Sequence, residues 1–421
     1  MMQSYLAIGI KNSMDIEYLK EKFNKSLELT SPINPSNMTI NLWQSSNHKL
    51  VLFQWTNESH SNLWNEANKV VTLSGYTNNE GYDLAKKLYS EEYYSHENII
   101  NNLSGQFSIL FMDGKENIIQ GFNSITRTEP IYYADNEDYV VIGNKAIMVH
   151  LMVSSGMLPE YDFSTFGSFL NTGYFNDENT PYKYVNLLRP GSSVIFKNNN
   201  INVKDYINVN SKLDESELNS AYYDDLASIF IDSFKPLNHH NVTINSGLTG
   251  GKDSRLIAAA LTFLGKDFKT HTTGFEEHPD VVLAKRIADT LGIEHEVNLP
   301  NMKNDTQDII VHDILNRAIN TLLVTDGMLS AYENVPLGMN FNQKVVSLGG
   351  NGGEHLRGGF NRNVSRHDVK GLNQLLFQVL NPFSMFINSE IQNNYEEHLT
   401  EWMNKSEDDS AKDIMMKYYI Y

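Results

Sequence analysis

The residues best able to do chemistry lie within 242–264, VTINSGLTGGKDSRLIAAALTFL. Val242 and Ile244 read as a short apolar strand. Gly247, Gly250 and Gly251 make a tight turn. Leu256, Ala260 and Leu264, with Ile257 and Leu261 beside them, then recur as the buried face of a helix. A strand–turn–helix of this shape aims backbone N–H groups and a positive helix end at one point, where an anion is stabilised. Glycine lets the backbone approach the anion with no Cβ between them. A Walker loop would need Gly-Lys followed by Ser or Thr, whose hydroxyl holds Mg²⁺. Here Lys252 is followed by Asp253, and the first glycine of that pattern is displaced. A carboxylate at the mouth of an anion nest repels phosphate unless a cation lies between them. Asp253 therefore reads as a Mg²⁺ ligand, with Ser254 and the turn amides on phosphate. A glycine pair alone would suit an ordinary strand–turn–helix. The ordered set Ser246, Thr249, Gly250, Gly251, Asp253, Ser254 argues for the phosphate site instead.

Thr249-Gly250-Gly251-Lys252-Asp253-Ser254 resembles the pyrophosphate loop, Ser-Gly-Gly-x-Asp-Ser, of the ATP pyrophosphatases, and within them the asparagine synthetase and β-lactam synthetase branch. The resemblance implies cleavage of ATP between its α and β phosphates, adenylation of a carboxylate and acyl transfer to an amine. It assigns Leu248, Thr249, Gly250, Gly251, Asp253 and Ser254 to the nucleotide. Thr249 replaces the usual first serine and keeps its hydroxyl. Lys252 and Arg255 replace residues that are usually apolar or small, and would stabilise charge near the phosphates. A second glycine-rich turn, Gly349-Gly350-Asn351-Gly352-Gly353-Glu354, follows a strand at Lys344–Gly350 and precedes Leu356-Arg357-Gly358-Gly359-Phe360. It is similar to the family's Ser-Gly-x-Gly-x-Asp-Glu motif. That likeness implies Gly350 and Gly352 at the nucleotide and Glu354 as a second Mg²⁺ ligand opposite Asp253. Two carboxylates on one Mg²⁺ suit a pyrophosphate leaving group. Asn351 departs from the pattern, which has Glu in asparagine synthetases and Tyr in lactam-forming relatives. An amide cannot act as a base near neutral pH and can only orient a group. His355, Glu390 and Glu333 are candidate bases by type, and Arg357, Arg362 and Arg366 candidate phosphate cations.

The elements around these turns read as alternating β and α. Phe268–Phe275 is a strand ending in Thr272-Thr273-Gly274, Val281–Gly292 a helix and Glu294–Leu299 a strand. Helical spacing recurs from Ile309 to Asn320 and near Thr325–Tyr332. Such alternation predicts a parallel sheet with ligands at the carboxyl ends of its strands. The resemblance puts adenine and ribose at Thr273 and Gly274, although short hydroxyl residues at a strand end are also common without a ligand. Asp280 reads as an acid that stabilises a helix start. His271, His278 and His295 fit no zinc spacing and read as ordinary hydrogen-bonded histidines.

Before residue 200 the chain is β-rich. Strands are expected at Tyr5–Ile10, Leu50–Trp55 and 70–76, and helices at Ile16–Leu27 and Gly81–Tyr94. Residues 103–149, with Gly105, Phe107, Arg127, Pro130, Tyr132 and Tyr133, resemble the glutaminase domain of asparagine synthetases. The expected fold is α/β and α+β. A glutaminase-like Ntn-type β-sandwich over 1–200 leads through a linker, 201–217, to a parallel-sheet α/β ATP pyrophosphatase domain over 218–421. Such glutaminases attack with an N-terminal cysteine. Here position 2 is Met and the chain has no cysteine, so no thioester can form. Ser4 is not terminal and would lack an α-amino base. Arg127, Tyr132 and Tyr133 are accordingly read as core and turn residues. From Leu372 to Tyr421 the pattern is helical, where the family continues into further helices. Three expectations follow: a truncated chain, a separate protein partner that completes the site, or lost catalysis.

The 421 residues carry a net charge of −18, which disfavours nucleic acid and anionic membranes as partners. No charged-then-apolar leader opens the chain, and no apolar run reaches the roughly 18 residues of a membrane span. A cytoplasmic protein, alone or as a homo-oligomer, is expected. The reading is an ATP- and Mg²⁺-dependent, AMP-forming amide ligase acting on a small-molecule or peptide carboxylate and an amine. An intramolecular lactam or macrolactam is the favoured product. A non-catalytic nucleotide-binding scaffold and an ammonia-fed asparagine synthetase are the alternatives.

Overall fold

The computed structural model describes residues 3–34, 38–56, 62–156, 158–207, 220–238, 243–299, 313–330, 345–350, 352–353 and 369–404. The chain divides into two compact units. One comprises Met1–Ser211, Ile314–Phe341 and Arg366–Tyr421, the other Lys212–Asp313 and Asn342–Ser365.

The first unit begins with β1 (Gln3–Ile10), α1 (Ile16–Leu29), β2 (Thr39–Gln44), β3 (Leu50–Thr56), β4 (Leu63–Glu66), β5 (Lys69–Thr77), α2 (Gly81–Ser90) and α3 (His96–Asn101). It continues through β6 (Gly105–Asp113), β7 (Ile118–Asn123), β8 (Tyr132–Asp135), β9 (Tyr139–Gly143), α4 (Ala146–Val153), α5 (Phe166–Thr172), β10 (Asn186–Leu187), β11 (Ser192–Lys197) and β12 (Asn200–Asp205). The strands form two antiparallel six-stranded sheets, ordered β10-β8-β9-β1-β3-β2 and β12-β11-β7-β6-β5-β4.

The continuous apolar run of β1 has a simple cause. Leu6 and Ile8 face Leu19 and Phe23 of α1 and Met148, Val149 and Met152 of α4. Tyr5 and Ala7 point the other way, into a core shared with Val70, Leu110, Met112, Ile119 and Val194 of the second sheet. A strand covered on both faces loses the apolar–polar alternation of a half-exposed one. The outer face of the second sheet is covered by Leu84, Ala85 and Leu88 of α2 and Ile100 of α3. The layers are helices, sheet, sheet, helices. Gly9 leaves room for a side chain of the facing sheet, since a Cβ there would lie 2.3 Å from the Phe196 ring.

Two boundaries differ from expectation. The expected helix at Gly81–Tyr94 ends as α2 at Ser90, and Tyr93–Ser95 form a separate single turn. Residues 201–205, read as the start of the linker, belong to β12, which pairs with β11 from Ser192↔Asp205 to Lys197↔Asn200. The polar composition that suggested a linker is that of an edge strand, mostly solvated.

The second unit contains α6 (Ser220–Asp232), β13 (Thr243–Gly247), α7 (Lys252–Phe263), β14 (Phe268–Thr273), α8 (Pro279–Leu291), β15 (His295–Asn298) and β16 (Val345–Leu348). Its sheet is parallel throughout, in the order β15-β14-β13-β16. Ile244, Ala260, Leu261 and Phe234 form one core cluster, and Leu248, Ala258, Ala284 and Ala288 another. The buried face of α7 is Ser254, Ala258, Ala260 and Leu261, whereas Leu256 is 48% exposed. Leu256 lies about 200° around the helix from Ala258, so both cannot face the sheet. α8 ends on Gly292, whose φ of 68° fits a left-handed helix cap.

Three later helices belong to the first unit: α9 (Ile314–Thr325), α10 (Val369–Leu380) and α11 (Ser389–Asn404). The helix expected near Thr325–Tyr332 does not continue from α9. Asp326 and Gly327 take positive φ, and Leu329 bridges to Tyr174 instead. α11 lies against α5 at Gly167, where a Cβ would meet the Tyr395 Cβ at 2.4 Å.

Candidate nucleotide site

In the second unit, β13 and β16 pair in register, with Ser246 beside Leu348. The chain therefore leaves both strands at the same level, into Leu248–Gly251 after β13 and Gly349–Gly353 after β16. The two glycine-rich stretches, about a hundred residues apart in sequence, end up side by side at the carboxyl edge of the sheet.

Glycine is required at that contact. A Cβ on Gly350 would lie 2.7 Å from the Ser254 nitrogen, and one on Gly353 would lie 2.4 Å from the Asp253 carboxyl carbon. Gly352 turns the chain with φ 84°, and Gly353 N–H donates to the Gly350 carbonyl at 3.1 Å. The second turn is thereby packed onto the first turn of α7, where Asp253 sits. Asn351 and Glu354 lie outside the described residues, as do Glu333, His355, Arg357, Arg362 and Arg366. Glu390 opens α11, in the first unit.

The first turn has its own hydrogen bonds. The Thr249 amide donates to Ser254 Oγ at 3.1 Å, and the Gly251 amide to Thr249 Oγ1 at 3.1 Å. The Gly250 amide donates to Asp280 Oδ1 at 3.1 Å. The amides expected on phosphate thus have protein acceptors in this structure, two of them the same hydroxyls expected to bind phosphate. Asp280 corrects its sequence reading. Its place at the start of α8 holds, but its carboxylate also reaches back 30 residues to the glycine turn. Local spacing carries no signal of that contact, because β14 has to bring α8 alongside the turn first.

Lys252 and Arg255 are exposed on the first turn of α7, and Arg255 Nε donates to the Gly251 carbonyl at 3.2 Å. Leu248 is fully buried, its amide bonded to the His271 carbonyl at 2.9 Å. Thr272 is turned inward and donates to the Leu248 carbonyl. Thr273 is exposed at the end of β14, and the Gly274 amide is bonded to the Asn298 carbonyl at 3.0 Å. The structure thus brings Leu248–Ser254, Thr273, Gly274, Gly350 and Gly352 to one edge of one sheet.

The three histidines have separate partners. His271 Nδ1 meets Asn245, His278 Nδ1 accepts from the Asp280 amide, and His295 lies between Thr270 and Thr272. Burial, then the neighbouring His271, holds the His295 imidazole below its ordinary pKa. Among the described residues no cluster of His, Asp and Glu suits a metal on its own.

The donor set fits a Mg²⁺–nucleotide. It offers a carboxylate, Asp253, and two hydroxyls, Thr249 and Ser254. It also offers two exposed cations and main chain approachable at Gly250, Gly251 and Gly350. The fit has one cost: phosphate must displace Asp280 before it can take the Gly250 amide.

In the first unit, Ser4 Oγ is buried with no hydrogen-bond partner. Tyr132 is buried in the core, Tyr133 is half-buried, and Arg127 sits in a turn at φ 50°.

Residues 225–416 match the family model described as asparagine synthase. The chain is 24% identical over 303 residues to asparagine synthetase [glutamine-hydrolyzing] 1 of Bacillus subtilis (strain 168), covering 70% of this chain and 46% of that protein. It thus spans about half the length of that relative. Two solved structures are similar at 8% identity and a TM-score of 0.31. One is glutamine phosphoribosylpyrophosphate amidotransferase from B. subtilis complexed with ADP and GMP, covering 79% of this chain and 99% of that one. The other is an allosteric regulatory enzyme of purine biosynthesis, covering 80% and 98%. At that score neither informs the fold. Over residues 225–416, where both glycine turns lie on adjacent strands of a parallel sheet, the chain is similar to the asparagine synthase family.

Proposed function

We propose that the protein is an AMP-forming amide ligase. A substrate carboxylate oxygen attacks the α-phosphorus of ATP, pyrophosphate leaves, and an amine then forms the amide bond as AMP is released. The observation that carries this reading is the register of β13 and β16, which sets the two glycine turns against each other over Asp253 and Ser254. Asp253, with Glu354 from the second turn, would hold Mg²⁺, which when bound neutralises the departing pyrophosphate. Thr249, Gly250, Gly251 and Ser254 orient the phosphates through hydroxyls and amides. Lys252 and Arg255 add positive charge at the helix start, where the backbone dipole acts in the same sense. Thr273 and Gly274 border the adenosine side. With no cysteine in the chain, the amine is supplied directly and not by glutamine hydrolysis. An amine within the same molecule, giving a lactam or macrolactam, suits that supply. Asn351 orients the amine without deprotonating it.

The hydrogen bond from Gly250 to Asp280 favours a second reading, a nucleotide-binding scaffold. In that case the carboxylate stays on the turn and pyrophosphate never leaves. One assay separates the two: AMP and pyrophosphate release from ATP and Mg²⁺ with a pool of carboxylates and amines. Pyrophosphate from wild type that disappears in Asp253→Ala is the expected result. Nucleotide binding without any pyrophosphate would leave the scaffold.

A further inference from the structure

The sheet of the second unit carries a row of polar side chains beside the first glycine turn that the nucleotide reading does not use. Thr270 and Thr272 are two residues apart on β14 and share one face, where both are buried. His295 of β15 pairs with Thr270, which sets its ring between the two hydroxyls. Its Nδ1 lies 2.9 Å from Thr270 Oγ1, and its Nε2 lies 3.4 Å from Thr272 Oγ1. Thr272 Oγ1 donates in turn to the Leu248 carbonyl, immediately before Thr249.

These contacts fix where the protons go. A carbonyl can only accept, so the single Thr272 hydroxyl proton points at Leu248. Toward His295 the same hydroxyl can then only accept, which places a proton on Nε2. Burial lowers the His295 pKa, so the ring is neutral at pH 7 and its Nδ1 accepts from Thr270. The hydrogen bonds therefore run one way, from Thr270 through His295 and Thr272 to Leu248. Their end point matters because a trans peptide is planar, and its carbonyl and N–H point in opposite directions. With the Leu248 carbonyl held by Thr272, the Thr249 N–H is aimed the other way, where it donates to Ser254 Oγ at 3.1 Å. The Leu248 amide is bonded to the His271 carbonyl at 2.9 Å, so the preceding peptide is fixed as well. Rotation of the Leu248–Thr249 peptide would break both of its hydrogen bonds and turn the Thr249 N–H away from Ser254.

We propose that His295 is a positioning residue for the nucleotide turn: through Thr272 it fixes the Leu248–Thr249 peptide so that the Thr249 N–H faces the phosphate position. That phosphate is what the turn receives rests on the proposed function; the way the turn is held does not. Nitrogen-15 NMR of the histidine-labelled full chain without nucleotide should show His295 protonated on Nε2 and not on Nδ1, the signal being assigned by its loss in His295→Gln. Hydrogen exchange over residues 246–254, read by mass spectrometry, should be about tenfold faster in His295→Leu than in wild type. In His295→Gln, whose side-chain amide keeps a donor for Thr272, it should stay within about twofold of wild type. Thr272→Val should match His295→Leu, and the two together should add little, as members of one hydrogen-bonded chain do. Affinity for ATP and Mg²⁺, measured by calorimetry, should fall about tenfold in His295→Leu and recover in His295→Gln. Protonation of wild-type His295 on Nδ1 would overturn the proposal whether or not the variants fold. So would equal exchange in wild type and a folded His295→Leu, or exchange in His295→Gln as fast as in His295→Leu. Absence of ATP binding by wild type would overturn the nucleotide reading, and the exchange comparison would still decide whether His295 holds the turn.

Discussion

At the residue scale, the candidate nucleotide site depends on atoms that are missing as much as on those present. Gly350 has no room for a Cβ, because the nearest atom is the main-chain nitrogen of Ser254, at 2.7 Å, which cannot swing aside. Gly350→Ala should cost about 1–3 kcal/mol of stability by overpacking. It should also weaken ATP binding by pushing the second turn off Asp253. Thermal unfolding and titration with a fluorescent ATP analogue read the two effects separately. Asp280 gives the opposite expectation. Asp280→Asn keeps an oxygen that can accept from Gly250 and removes one negative charge from the turn. Affinity for ATP should rise about fivefold, a gain of about 1 kcal/mol. The start of α8 should lose less than about 1 kcal/mol of dipole stabilisation. Unchanged or weaker ATP binding in calorimetry would show that Asp280 does not compete with phosphate.

At the element scale, the end of α9 is tied to the start of α4 by one buried acid. Asp326 accepts from the Ala146 amide through Oδ2, and its Oδ1 is buried with no hydrogen-bond partner. Burial raises its pKa from 3.8 to about 6, against the lowering effects of Lys145 and the Ala146 amide. The folded state therefore holds this proton more tightly than the unfolded state. Its contribution to stability is largest below pH 4 and is lost as pH rises to about 6, by up to about 3 kcal/mol. Asp326→Asn, which retains the acceptor and loses the charge, should be more stable than wild type at pH 7.5. The advantage should shrink toward pH 4. Denaturant midpoints at the two pH values test this, and an advantage independent of pH would count against it.

At the scale of the whole molecule, the first unit layers two antiparallel sheets between helices, in a chain that has no cysteine. Its first strand is sealed on both faces, Ser4 Oγ is inaccessible, and Tyr5 donates to Ser108 at 2.8 Å within the sheet-to-sheet core. Glutamine should therefore give no glutamate, with or without ATP, and under the proposed function a free amine should support turnover when the carboxylate substrate is present. Glutamate measured above background would show a nucleophile other than cysteine. Among the described residues no helix is long and apolar enough to cross a membrane.

Much of this was legible in the sequence. The turn 247–254 and the glycines at 349–353 were recognisable because tight turns with close main-chain contacts restrict residue type within a short window. β1, β3 and β6 were recognisable because burial imposes apolar runs. The helix closed by Gly292 was marked by its left-handed cap. β12 was misread because an edge strand and a linker share a polar composition. The buried face of α7 was misplaced because several apolar spacings fit one amphipathic helix, and only the sheet beneath selects one. The contact from Asp280 to Gly250, the packing of Gly353 on Asp253 and the chain of hydrogen bonds from His295 to Leu248 have no sequence signature. Each joins residues brought together by strand order or helix docking. The sequence by itself determined which residue types could hold a nucleotide. The tertiary structure alone decided which of their hydrogen bonds are already taken, because that depends on neighbours tens to hundreds of residues away.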